Sequence, residues 1–182
     1  REDKTKQCSR RKRAKERRAS VIHSNYIRQN RIVAALTFFA SFFIYFSTMA
    51  STVSYWDCGE FIATAHTLGV PHPPGSPFFL LIGRVISMLP FHTDVAFRVN
   101  ILSPLSSALA VMLLYLVVVK VVTHWRGKIE NSTDAIIAFG GAAVGAMAFA
   151  FTDSHWFNAV EAEVYAISTF FTAIVVWLIL LW

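Results

Sequence analysis

The sequence predicts an all-α integral membrane protein. It reads as a polytopic bundle of about four transmembrane helices, with short re-entrant or juxtamembrane helices in its first outer loop. Three observations carry that prediction. First, 55% of the 182 residues are hydrophobic. Second, only 15% are charged, where a soluble domain carries about a quarter. Third, the charge is unevenly placed. Residues 1–31 hold most of the Lys and Arg, in "KTKQCSRRKRAKERRAS" and "YIRQNR", and beyond Arg31 the charged positions fall between apolar runs.

The net charge of +6 therefore does not point to nucleic acid. A basic tail that abuts an apolar run reads as a positive-inside anchor against anionic lipid. It is too long and too densely charged for a signal-peptide n-region, and no small-residue cleavage site follows it. Cys8 and Cys58 fall in different regions, so neither a disulfide framework nor a metal spacing is implied. The chain starts without Met and ends inside "VVWLILLW", so we expect the N-terminal part of a longer protein.

Taken in order, residues 1–31 form the tail, disordered or loosely helical. Residues 32–52, "IVAALTFFASFFIYFSTMAST", carry no charge and are long enough to cross roughly 30 Å of hydrocarbon. Tyr55 and Trp56 follow, where an interfacial aromatic belt belongs. "GEFIATAHTLG" reads as a short helix stopped by Gly69. "VPHPPGSP" excludes regular helix, because its prolines lack donors and push their predecessors out of the α region. Phe78–Leu89 is apolar and carries Arg84, but as a helix it reaches only about 18 Å; it fits a re-entrant or interfacial helix.

The second span is placed at 99–122, with Lys120 snorkelling at its end, and the third at 135–151, where "GGAAVGA" offers a small-residue packing face. The fourth is placed at 164–182. With the tail inside, loops 53–98 and 152–163 lie outside. The loop bearing Arg126 and Lys128 then lies inside, as the charge rule asks. The Asn131-Ser-Thr sequon would face the wrong side for glycosylation.

Two acid–histidine clusters then meet one membrane face: Asp57, Glu60, His66 and His72 from the first outer loop, and Asp153, His155, Glu161 and Glu163 from the return. An acid buried in hydrocarbon costs about 3 kcal/mol, so these acids line water or a shared cavity. Each has an ordinary reading as well. Asp57 and Glu60, three apart, match a helix N-cap with a capping-box partner. His66 suits the polar face of a short amphipathic helix. His72, among Pro71, Pro73 and Pro74, suits a stiff site or a tight turn. Arg84 is a snorkelling residue or, with Arg98, a phosphate contact. Glu161 and Glu163 point oppositely on a strand and about 200° apart on a helix, so at most one is expected to face the first cluster. No spacing names a metal set.

"YWDCGEFIATAHTLGVPHPPGSPFFLLIGRVISMLPF", "VAFRVNILSPLSSALAVMLLYL" and "FTDSHWFNAVEAEVYAISTFF" resemble the N-terminal domain of the transmembrane protein 260 type, known in bacteria as domain of unknown function 2723. The resemblance covers about residues 32–182, with "CGEF" nearest the Bacteroidota branch.

It implies a GT-C-like helical bundle in a bacterial inner membrane, with the N-terminus cytoplasmic and the active site facing the periplasm. It implies inverting transfer of a mannose-like sugar from a polyprenyl-phosphate donor to Ser or Thr of exported acceptor proteins. Asp57 would be the base and Glu60 would orient it or the acceptor. His72, Arg84, Arg98, Asp153, His155, Glu161 and Glu163 would bind donor or acceptor. The expected partners are membrane lipid, the polyprenyl-phosphate sugar and the exported protein, without nucleic acid; a divalent metal is left open. Two other classes stay in view, a transporter built on broken polar segments and a non-catalytic envelope scaffold. An inverted repeat would favour the transporter, and none is visible.

Overall fold

In the computed structural model the chain is helical, and no strand occurs among the described residues. The structure describes residues 2–182 other than 74, 128 and 130, with side chains from residue 25 onward. Pro74, Lys128 and the side chains of the basic tail, Cys8 included, lie outside the described residues.

Four helical stretches are long and apolar enough to cross a membrane: Asn25–Thr48, Val95–Arg126, Ser132–Ala150 and Val164–Leu181. The first belongs to α1 (Glu2–Thr48), which runs unbroken from the basic tail into the apolar run. The second is built from α4 (Val95–Asn100) and α5 (Leu102–Arg126), joined at Ile101, whose backbone is itself helical. Pro104 falls in the first turn of α5, where its missing N–H has no partner to lose. Between the first two spans lie α2 (Cys58–Thr67) and α3 (Pro77–Met88). At 12 residues α3 is too short to span, and it packs on α2 and α4.

The third span begins with α6 (Ser132–Ala135), capped by the Asn131 side chain, which accepts from the Asp134 N–H at 2.9 Å. It passes through a π-helical turn at Ile136–Gly140 and continues as α7 (Gly141–Ala150). Within the expected small-residue run, the alanines rather than the glycines make the packing face. Gly140, Gly141 and Gly145 have open space where a Cβ would stand. Ala138, Ala142, Ala146 and Ala150 are buried. Their spacing of four puts the alanines on one stripe and turns the glycines away from it.

The return is α8 (Asp153–Ala159), and α9 (Val164–Leu181) is the fourth span. Helix α5 is the central wall, in contact with α1, α7, α8 and α9. Two apolar clusters result. One joins α1, α5 and α7 around Tyr45, Val111, Tyr115 and the alanine stripe. The other joins α2, α3 and α4 to the start of α9 around Phe61, Ile62, Phe79, Val99 and Ile167.

At one end of the bundle the two expected outer loops are tied together. The Ala50 N–H donates to the Val160 carbonyl at 2.8 Å. The Asn100 amide donates to the carbonyls of Ala50 at 2.8 Å and Thr52 at 3.0 Å. At the other end Tyr115 Oη donates to Asn30 Oδ1 at 2.9 Å.

The second cluster depends on one close approach. A Cβ on Gly83 would stand 2.9 Å from the Ala65 Cβ, so α3 seats directly on α2. We expect Gly83→Val to force the two helices apart at a cost of about 1–3 kcal/mol. Thermal unfolding in detergent checks this, and an unchanged midpoint would contradict the close seat.

Candidate functional site

The N-terminal end of α2 is set up by a turn in which Trp56 takes a left-handed backbone (φ 62°), uncommon for a non-glycine residue. Asp57 follows at the N-cap position, but its side chain makes no capping bond. Glu60 does not close a capping box either. Its carboxylate turns to His72, accepting from the His72 backbone N–H at 2.7 Å and from ring Nδ1 at 2.7 Å. A carboxylate only accepts, so Nδ1 carries the proton of that bond. The other ring nitrogen, Nε2, lies 3.9 Å from Asp57 Oδ2. The histidine of the proline run thus bridges the two acids of α2.

This pairing has a direction in pH. The bond from the His72 ring, with that from its backbone N–H, holds the Glu60 carboxyl below the usual carboxylate range. The same bond raises the His72 imidazole above its ordinary value. A raised histidine contributes stability below its ordinary value and loses it as pH rises through the raised one. A lowered carboxyl contributes above its ordinary value and loses it as pH falls through the lowered one. The tie holds between those limits. In Glu60→Gln we expect His72 to titrate at lower pH than in wild type. Histidine NMR titration reads this directly, and an unmoved His72 resonance would break the pair.

The return supplies the other wall. Residues 160–162 are bent and belong to neither helix nor strand. Glu161 and Glu163, which alternation would point apart, therefore both face α2, correcting the expectation that only one would. Ser54 Oγ donates to Glu161. Cys58 Sγ lies 3.9 Å from Glu163 Oε1. The Glu163 N–H donates to Ser103 Oγ on α5 at 3.3 Å.

Both glutamates are buried, and Glu161 Oε1 has no hydrogen-bond partner. Burial, then the Glu161 and Asp57 charges, raise the Glu163 carboxyl above the usual range. Burial pushes the Cys58 thiol up to about 12, so it is a thiol rather than a nucleophilic thiolate. Two sets of donors could hold a cation, each with its atoms within 4.8 Å of one another: Asp57, Glu60 and His72 at the surface, and Cys58, Glu161 and Glu163 inside. The sequence shows the first set as neighbours on one stretch of chain and hides the second, whose members come from segments about a hundred residues apart.

The remaining candidates sit elsewhere. Arg84 Nη1 donates to the His66 carbonyl at the C-terminal end of α2, about 14 Å along that helix from Asp57. Arg98 Nη1 donates to the Leu89 carbonyl at 3.0 Å, and its buried Nε has no partner. His66 Nδ1 lies 3.4 Å from Ser87 Oγ. His155 is buried beneath α8, its ring 4.3 Å from that of Phe149, and burial lowers it below its ordinary value. Asp153 is exposed in the first turn of α8. The expected stop at Gly69 falls one residue early: Leu68 takes the left-handed backbone that ends α2. The residues missed are Ser54, Cys58, Asn100 and Ser103. Cys58, Asn100 and Ser103 lay within the stretches that carry the resemblance, but nothing there marked them out.

The family described as "Protein O-mannosyl-transferase TMEM260 N-terminal domain" matches residues 57–182. The chain belongs to the TMEM260 N-terminal domain family. Similar proteins include the protein O-mannosyl-transferase tmem260 of Dictyostelium discoideum, 31% identical over 146 residues. That similarity takes in 79% of this chain and 16% of the relative. The mouse (Mus musculus) protein O-mannosyl-transferase TMEM260 is 32% identical over 149 residues, 81% of this chain and 19% of the relative. The chain therefore spans less than a fifth of these relatives. No solved structure matches it. The TMEM260 match opens at Asp57 and takes in every member of both donor sets.

Proposed function

We propose that this TMEM260-family chain carries the acid–base part of a GT-C-type membrane glycosyltransferase. The enzyme would move a mannose-like sugar from a polyprenyl phosphate to Ser or Thr hydroxyls of exported proteins. The observation that carries the reading is the position of Asp57: exposed, uncapped, held beside the His72–Glu60 pair, and close enough to Glu163 to raise its carboxyl. The names of the relatives supply the reaction class.

In this reading the Asp57 carboxylate takes the proton of the acceptor hydroxyl. The freed oxygen attacks the anomeric carbon from the face opposite the phosphate, and the sugar–phosphate C–O bond breaks with its electron pair going to the phosphate. His72, tied to Glu60, orients Asp57. Of the cation candidates, His72 is the one that lies beside Asp57, at 3.9 Å, and we assign it to the leaving phosphate. The buried Glu161–Glu163 pair forms the wall against which acceptor or donor is placed.

The basic tail sets the orientation: N-terminus in the cytoplasm and the Asp57 end on the outer side, of a bacterial inner membrane in the branch that "CGEF" resembles. The test is glycan transfer by the full-length protein carrying Asp57→Asn.

A further inference from the structure

The end of the bundle opposite Asp57 holds a cavity of about 480 Å³ between α1, α5, the π-helical turn and α9, within the size range of small-molecule pockets. Lys120, which lines it, lies about 26 Å along α5 from Ser103, the contact of Glu163. The two sites are therefore separate.

The lining divides into two kinds. Leu116, Phe139 and Trp177 make an apolar side. Tyr26, Asn30, Lys120 and His124 supply polar groups. Asn30 Oδ1 already accepts from Tyr115, so its amide nitrogen remains as a donor. Among the described residues lining the cavity none carries a carboxylate. Asp134 lies with Arg126 in a small adjoining cavity that shares Thr123, Gly127 and Ile129 with this one. A pocket with donors and the Lys120 cation at one side and hydrocarbon at the other complements one amphipathic anion. Its place at the start of the first span and the end of the second is where lipid headgroups would stand.

We infer that this cavity binds a glycerophospholipid with an anionic headgroup. The phosphate lies against Lys120 and His124, with Tyr26 and the Asn30 amide as further donors. An acyl chain follows the Leu116–Trp177 side. The distribution of charge selects this occupant: an apolar helix from elsewhere in the protein would leave Lys120 and His124 facing hydrocarbon. Snorkelling alone explains a lysine at a helix end, but not donors from two helices converging on one cavity.

The experiment uses the full-length protein, reconstituted in vesicles of phosphatidylcholine alone or mixed with phosphatidylglycerol. Lipid retained after detergent extraction is read by native mass spectrometry. Wild type should keep phosphatidylglycerol in preference to phosphatidylcholine. Lys120→Gln should weaken that retention roughly fivefold, and His124→Gln, which removes a hydrogen-bond donor, should weaken it by less. Leu116→Trp, which fills the apolar side without changing charge, should expel the lipid from a folded protein. Equal retention of both lipids, or full phosphatidylglycerol retention in the double Lys120→Gln/His124→Gln variant, overturns the inference. So does a Leu116→Trp variant that loses thermal stability while keeping its lipid, which would mean that protein fills the cavity.

Discussion

Asp57→Asn should abolish nearly all sugar transfer while leaving the fold intact. Positioned acid–base groups contribute about 10²- to 10⁴-fold, and Asn cannot take the proton. The fold should survive for two reasons. The Asp57 side chain makes no capping bond to lose, and Asn is as good as Asp at a helix start. Mass spectrometry of Ser and Thr glycosites on exported proteins, at matched expression, measures the effect. Sites still fully occupied in the variant would make Asp57 a surface acid and return the weight to a scaffold.

Asn100→Ala should be the most damaging single truncation for stability. Asn100 is fully buried, and its amide nitrogen bridges the carbonyls of Ala50 and Thr52. Removing it leaves the half-buried Ala50 carbonyl without this donor, at a cost of about 1–3 kcal/mol, while the exposed Thr52 can turn to water. Ala50 also holds Val160, so the loss should spread to the Glu161–Glu163 wall. Thermal unfolding measures the first effect. Cysteine accessibility of Cys58, buried in wild type, measures the second. A variant with native stability and a protected thiol would show that the loops are held by something else.

The four spans were legible because an uncharged run of about twenty residues has few alternatives to crossing a bilayer. The short α3 was legible by the same arithmetic. Asp57, Glu60 and His72 could be read as a group because they lie on one stretch of chain. Their bonding could not: a capping box and a Glu–His pair have the same spacing, and only the path of the proline run decides between them. Glu161 and Glu163 were misjudged because periodicity holds for helices and strands, and the chain there follows neither. Ser103 and Asn100 carried no signal, since a small polar residue in an apolar helix looks alike whether or not a partner waits 50 or 60 residues away. In the third span the small-residue run was legible, but not that the phase of the helix gives its contact to Ala142 and Ala146 rather than to the glycines.

The ties that complete the site also set an order of events during synthesis. Glu60 and His72 are 12 positions apart, so their pair can form as soon as that stretch leaves the ribosome. Ser54 and Cys58 wait for Glu161 and Glu163, each more than a hundred residues later. At about 5–20 residues per second that is a gap of roughly 5–20 seconds. Through it the Asp57 loop stands without its inner wall, and the nascent chain cannot hold a finished site until the return has been made.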